Sequence, residues 1–198
     1  MVKNHNKKWA QNTVGGSSKE RRQERARVLD GFNTPKIAVI ELLRKEKFQH
    51  RIWEPANGYG KISKVLQRKG YQVFTSDIYR WIPETQRQRA FQNFWKPRGG
   101  DIITNPPFSL AQLFVEAAMR LLKSGRKLAL LLRLQFLESK KRKLLFEKFP
   151  PKKIWVFSGR LPRMHQFGWK GNKGGSILAF AWFIWEKGYK GPTAIGWI

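Results

Sequence analysis

Cysteine is missing from this 198-residue chain. Its absence excludes disulfides, thiolate-bound zinc, iron–sulfur clusters and a cysteine nucleophile at once. Histidine is scarce: His5, His50 and His165 are scattered and make no metal-ligand pattern. Acidic residues are few, 13 against 40 Lys and Arg, which leaves a formal net charge of +27. That balance favours a polyanionic partner. Nucleic acid comes before a membrane surface, because no segment reads as a basic amphipathic helix with a clean apolar face. Long apolar runs are also lacking. The longest, Ile177 to Trp185, is far short of the roughly 20 residues a membrane helix needs. The first residues (MVKNHNKKWAQNTVGG) have no apolar core of signal-peptide type. The expectation is a soluble, intracellular protein with no membrane partner and no metal.

What is present is enough to build a core. Hydrophobic residues make up 41% and aromatics 14%, with nine Trp, more than a disordered basic tail carries. The length suits one domain. Residues 1–29 read as a basic N-terminal arm, mobile or partly helical over Lys19 to Leu29, and 30–198 as the folded domain. Thr34-Pro35 reads as a helix start, with Thr34 as N-cap and Pro35 at the first helical position. Strand and helix patterns then alternate. Strands are expected at 51–54, 71–76, 101–104, 127–134, 153–157 and 177–185. Helices are expected at 61–69, stopped by Gly70, and at 110–122. Strands spaced by helices indicate a mostly parallel α/β sheet covered on both faces. No helix pattern separates the last two strands, so they are expected to pair antiparallel as a hairpin at the end of the sheet.

Two turns carry the chemistry. Glu54-Pro55-Ala56-Asn57-Gly58-Tyr59-Gly60 places two glycines between a strand and a helix, and Asp77 follows the next strand. A glycine turn beside a carboxylate at the neighbouring strand end is an arrangement for a nucleoside. A plain strand–turn–helix corner with a solvated Asp77 gives the same pattern. The full G-x-G-x-x-G fingerprint is absent, since Ser63 stands at its third glycine position, which counts against NAD and FAD. The second turn, Asn105-Pro106-Pro107-Phe108, is more specific. Two prolines straight after the buried strand 101–104 end its pairing and stiffen the turn. Asn105 then stands at the carboxyl end of a strand, where open α/β sheets bind ligands.

With these motifs the chain resembles the S-adenosylmethionine-dependent amino-methyltransferases that methylate adenine N6 in nucleic acid. Within them it is similar to the small phage and prophage DNA adenine methyltransferases built from the catalytic core alone. The resemblance covers about residues 30–198. It implies a Rossmann-like, doubly wound, seven-stranded sheet, mostly parallel with an antiparallel C-terminal hairpin. It implies S-adenosyl-L-methionine as cofactor, held by Thr34-Pro35, Glu54-Pro55-Ala56, Gly58, Gly60, Asp77 and Ile78. Thr34-Pro35 and the glycine turn would meet the methionine end, Asp77 the ribose hydroxyls and Ile78 the adenine ring. The family's Asp-Phe after the third strand is Asn93-Phe94 here; an Asn carbonyl accepts the same hydrogen bond from the cofactor adenine without the charge. The implied catalytic residues are Asn105, Pro106, Pro107 and Phe108. The Asn105 side-chain oxygen and the Pro106 carbonyl would accept the two N–H bonds of the target amino group, while Phe108 stacks on a flipped base. Cytosine C5 methylation is excluded independently, because it needs a cysteine nucleophile. RNA adenine N6 methylation, cytosine N4 methylation, protein glutamine methylation and a catalytically idle basic binding module are the competing readings. A phage-encoded enzyme of this kind would work in the cytoplasm of a bacterial host.

The charge is uneven. Fifteen Lys and Arg but only Glu138 and Glu147 fall between positions 123 and 173. Lys140, Lys141, Arg142 and Lys143 form a run that fits a phosphate-tracking ridge or a solvated helix face. Residues 158–175 mix cations with rings: Arg160, Arg163, His165, Phe167, Trp169, Lys170 and Lys173. That mixture suits nucleic acid with a base exposed, so this loop is expected over the target. Arg133 interrupts an apolar strand, facing either the cleft or a snorkelling edge. No segment is left over for a separate recognition domain, so the expectation is low sequence specificity with affinity that falls steeply with salt.

Overall fold

A computed structural model of the protein describes residues 32–79, 81–82, 99–162 and 178–198, with the backbone of 86–87. The expected arm, 1–29, lies outside the described residues. The apolar runs become interior strands because each feeds both faces of one sheet. The strands are β1 (Arg51–Glu54), β2 (Gln72–Asp77), β3 (Gln86–Arg87), β4 (Asp101–Thr104), β5 (Lys127–Arg133), β6 (Lys153–Val156), β7 (Phe180–Glu186) and β8 (Ala194–Trp197). Their spatial order is β3-β2-β1-β4-β5-β7-β6-β8. β7 runs antiparallel to both its neighbours, and the other described pairs are parallel.

Alternation along the strands splits the core in two. Ile52, Ile103, Ala129, Leu131, Trp182 and Ile184 face one side, with α1 (Lys36–Lys45) and α2 (Lys61–Arg68). Trp53, Ile102, Leu128, Leu130, Phe183 and Trp185 face the other, with α3 (Ala111–Leu121) and Leu145 of α4 (Lys140–Lys148). Buried indoles need a partner for their N–H. Trp182 Nε1 donates to the Ala38 carbonyl at 2.8 Å, and Trp185 Nε1 to the Phe149 carbonyl at 3.0 Å.

The last two expected strands pair antiparallel, with Trp155 opposite Trp182. They lie at one end of the sheet, with only β8 of the described strands beyond β6. β7 is apolar along its length and takes the interior place between β5 and β6, where both faces are covered. β8 was not foreseen. It is short, largely exposed and lies parallel to β6 as an edge strand. Gly196 makes that approach possible, since a Cβ there would sit 2.4 Å from the Trp155 ring. Thr34 also departs from its expected role as N-cap. Pro35 holds that position, extended at φ −63° and ψ 136°, and the helix opens at Lys36. The Thr34 hydroxyl is engaged elsewhere.

Candidate active site

The order of strands reverses between β1 and β4, the point at which open α/β sheets form a crevice at their carboxyl ends. β1 leads into the glycine turn, and β4 leads into Asn105. Because β1 and β4 are hydrogen-bonded neighbours, the fold brings the two motifs together.

The glycine turn is held by β2. The Asn57 N–H donates to the Ser76 carbonyl at 3.1 Å, and the Gly60 N–H to the Asn57 carbonyl at 2.8 Å. Gly58 and Gly60 have φ of 50° and 72°, a region L side chains rarely adopt. A Cβ on Gly60 would also meet Ile82 Cδ1 at 3.0 Å. Asp77 Oδ2 accepts the Gly58 N–H at 2.8 Å and Oδ1 the Tyr79 N–H at 3.1 Å. Burial pushes the Asp77 carboxyl up to about 6, against the pull of N–H donors that include Gly58, Tyr79 and the Trp81 side chain. Glu54 is 1% exposed. Desolvation raises its pKa well above the usual value, contacts with Ser63 pull it back, and the nearby Asp77 adds to the rise. Its Oε2 is buried without a hydrogen-bond partner among the described residues.

This cradle fits a nucleoside-bearing cationic cofactor. The turn admits close approach, Asp77 stands one strand away, and Glu54 offers an unused buried acceptor. Tyr59, Tyr79 and Trp81 were not singled out by sequence. Trp81 packs on both tyrosines, with ring centroids 5.6 and 5.5 Å apart, beside the end of β2. The signal was the run of aromatics just past Asp77. Asn93 and Phe94 lie outside the described residues.

Asn105 is fixed from the segment before α1. Its Nδ2 donates to the Thr34 hydroxyl at 3.0 Å and to the Phe32 carbonyl at 3.5 Å. A carbonyl can only accept, so the amide nitrogen must face Phe32 and the oxygen faces the other way. Pro107 leads into a short 3-10 turn, Phe108–Leu110, that feeds α3. Phe108 is not an open stacking face. Phe32 stacks on it at 5.5 Å, Phe180 packs at 5.9 Å, and the Arg133 guanidinium lies over its ring at 4.7 Å. Phe32 carried no sequence signal as a site residue.

The expected nucleic-acid residues divide. Arg133 ends β5, an interior strand between β4 and β7, so it does not stand on a sheet edge, and its guanidinium lies on the Phe108 side. Lys140, Lys141 and Lys143 are exposed on α4, and Arg160 is exposed after β6. Arg142 is corrected: it is turned inward. Its Nε donates to the Phe136 carbonyl at 2.7 Å and its Nη2 to the carbonyls of Gln135 at 3.1 Å and Glu138 at 2.5 Å. It braces the 3-10 turn Leu134–Leu137 after β5, sharing the Gln135 carbonyl with the Glu138 N–H and adding donors to the carbonyls of Phe136 and Glu138. Arg163, His165, Phe167, Trp169, Lys170 and Lys173 lie outside the described residues. Among the described residues no group of three His, Asp or Glu could hold a metal, and no helix is long and apolar enough to cross a membrane.

The fold is that of class I S-adenosylmethionine-dependent methyltransferases. A Listeria monocytogenes chain assigned to that class superposes with a TM-score of 0.54 over 93% of this chain and 68% of its own, at 16% identity. A Pyrococcus horikoshii chain assigned as an RNA methyltransferase superposes with a TM-score of 0.55 over 81% of this chain and 89% of its own, at 14% identity. No protein-family model matches the chain, and no curated protein does.

Proposed function

We propose that this protein is an S-adenosylmethionine-dependent methyltransferase that modifies the N6 amino group of adenine in DNA with low sequence specificity. The observation that carries the reading is the pinned Asn105 amide at the carboxyl end of β4, one strand from the glycine turn. S-adenosylmethionine, when bound, supplies a methyl group already activated on a sulfonium. The chain's own residues supply alignment and hydrogen-bond acceptors. Gly58, Gly60, Glu54 and Asp77 would hold the cofactor, with Pro55, Ala56 and Ile78 lining it.

An adenine amino nitrogen is a weak nucleophile because its lone pair is spread into the ring. The Asn105 oxygen and the Pro106 carbonyl accept its two N–H bonds and draw the nitrogen toward tetrahedral geometry. Preorganised partners of this kind are worth roughly 3–4 kcal/mol, by analogy with oxyanion-hole donors. Thr34 and Phe32 set the amide so that the oxygen, not the nitrogen, meets the substrate. Thr34 therefore acts through Asn105, in addition to the cofactor contact inferred from sequence. The stack of Phe32, Phe108 and Arg133 forms one wall for the base. The exposed cations Lys140, Lys141, Lys143 and Arg160 support a phosphate-tracking surface.

The test is to offer methyl-labelled cofactor with double-stranded DNA, single-stranded DNA and RNA, then digest and identify the nucleoside by mass spectrometry. N6-methyladenine in DNA is the expected product. Label in RNA alone would move the substrate to RNA adenine, and N4-methylcytosine would move the target base. Cofactor binding without transfer to any of the three would leave an idle module.

A further inference from the structure

Arg133 and Arg142 flank one turn and are used in opposite ways. Arg142 spends its donors on three carbonyls. The Arg133 side chain makes no hydrogen bond or ion pair with any described residue, and its Nε is buried without a partner among them. Its guanidinium lies over the Phe108 ring at 4.7 Å. A desolvated, unpaired donor on a charged group is destabilising, and β5 is otherwise apolar from Leu128 to Leu132.

We infer that Arg133 binds the phosphodiester next to the target nucleotide, a role that rests on the reading of the site as a nucleic-acid methyltransferase. Charge selects the ligand. The cofactor would bring a sulfonium cation, which opposes a second cation, and an amino-acid carboxylate, the rival anion that the cofactor-binding measurement on Arg133→Met below tells apart from a phosphate. Neither the base nor the sugar is charged, so neither offsets Arg133. A phosphate does, and the planar guanidinium fork matches two of its oxygens. Placed over Phe108, the guanidinium keeps its charge beside the wall where the base enters. Arg133 thus couples backbone capture to base placement, and it does so without reading sequence.

The experiment is a methylphosphonate scan. DNA oligonucleotides with a single adenine carry one neutral phosphate at each of the four positions nearest that adenine. Transfer is measured as kcat/KM for the wild type, Arg133→Lys and Arg133→Met. The expected result is one position where neutralisation costs the wild type about 30-fold or more, but Arg133→Met less than about threefold. Arg133→Lys, which keeps the charge and loses the fork, should fall between them. Arg133→Met should melt at or above the wild-type temperature and bind cofactor unchanged, because it removes an unpaired buried donor. Losses that multiply at every position would overturn the inference, as would a lowered melting temperature for Arg133→Met. A wild type that methylates no nucleic acid overturns the parent reading as well, whereas active wild type with multiplying losses overturns this inference alone.

Discussion

At the amino ends of the strands, polar groups are matched. The buried Asp101 carboxylate, at the start of β4, takes the Gln49 N–H at 2.7 Å and the Lys127 N–H at 2.8 Å. Glu46 takes Lys127 Nζ at 2.7 Å and Trp155 Nε1 at 3.0 Å. At the carboxyl ends, buried polar atoms are left over: Asn33 Oδ1, Glu54 Oε2, Thr104 Oγ1 and Arg133 Nε have no partner among the described residues. Each such atom costs about 1–3 kcal/mol. The contrast teaches where the molecule gives up stability to keep a site ready. One end of the sheet has its buried polar groups paired, and the other keeps several unpaired beside the candidate site.

Breaking the functional end alone should give the largest effect. Asn105→Ala should lower single-turnover methyl transfer by about 300-fold, from the lost acceptor, with a smaller loss of about 1 kcal/mol in urea unfolding from its bonds to Thr34 and Phe32. Breaking the structural end should do the reverse. Asp101→Ala leaves two N–H groups unpaired and should cost about 3 kcal/mol in urea unfolding, while the rate per folded molecule holds.

The pH dependence sharpens the same contrast. Asp77 is held at about 6 against 3.8 for the free residue. Between those values the folded state keeps a proton that the unfolded chain releases. Its contribution to stability is therefore full below about pH 4 and is lost as pH rises through about 6, by about 3 kcal/mol in all. Cofactor binding needs the carboxylate and should run the other way. Calorimetry should show affinity weakening by up to tenfold per pH unit below about 6, and Asp77→Asn should flatten that slope. The smallest effect is expected at Thr34. Thr34→Val removes one neutral hydrogen bond to Asn105 and should lower kcat by about fivefold. Thr34→Ser, which keeps the hydroxyl, should restore most of the rate.

Six of the eight strands were legible because their apolar runs are bounded by Gly, Pro or charge, whereas the two-residue β3 has no apolar run. Asn105-Pro106-Pro107-Phe108 and the glycine turn were legible because their residue types are scarce in ordinary strand ends. β8 was not, since Ala194-Ile195-Gly196-Trp197 is short and its Gly reads as a breaker; only the flat Trp155 beneath it explains that glycine. Nor was the reach of Phe32 and Thr34 to Asn105, more than 70 positions away, which depends on the β1–β4 adjacency. Arg142 looked like part of a cationic run because sequence shows charge but not the carbonyls that absorb it.

The most direct test of the contrast is amide chemical-shift mapping with S-adenosylhomocysteine, the demethylated product form of the cofactor. Shifts concentrated at Glu54 to Gly60, Asp77, Ile78 and Asn105, with Gln49, Asp101 and Lys127 unmoved, are the predicted result. Perturbation confined to the amino ends of the strands, or none at saturating ligand, would contradict the account.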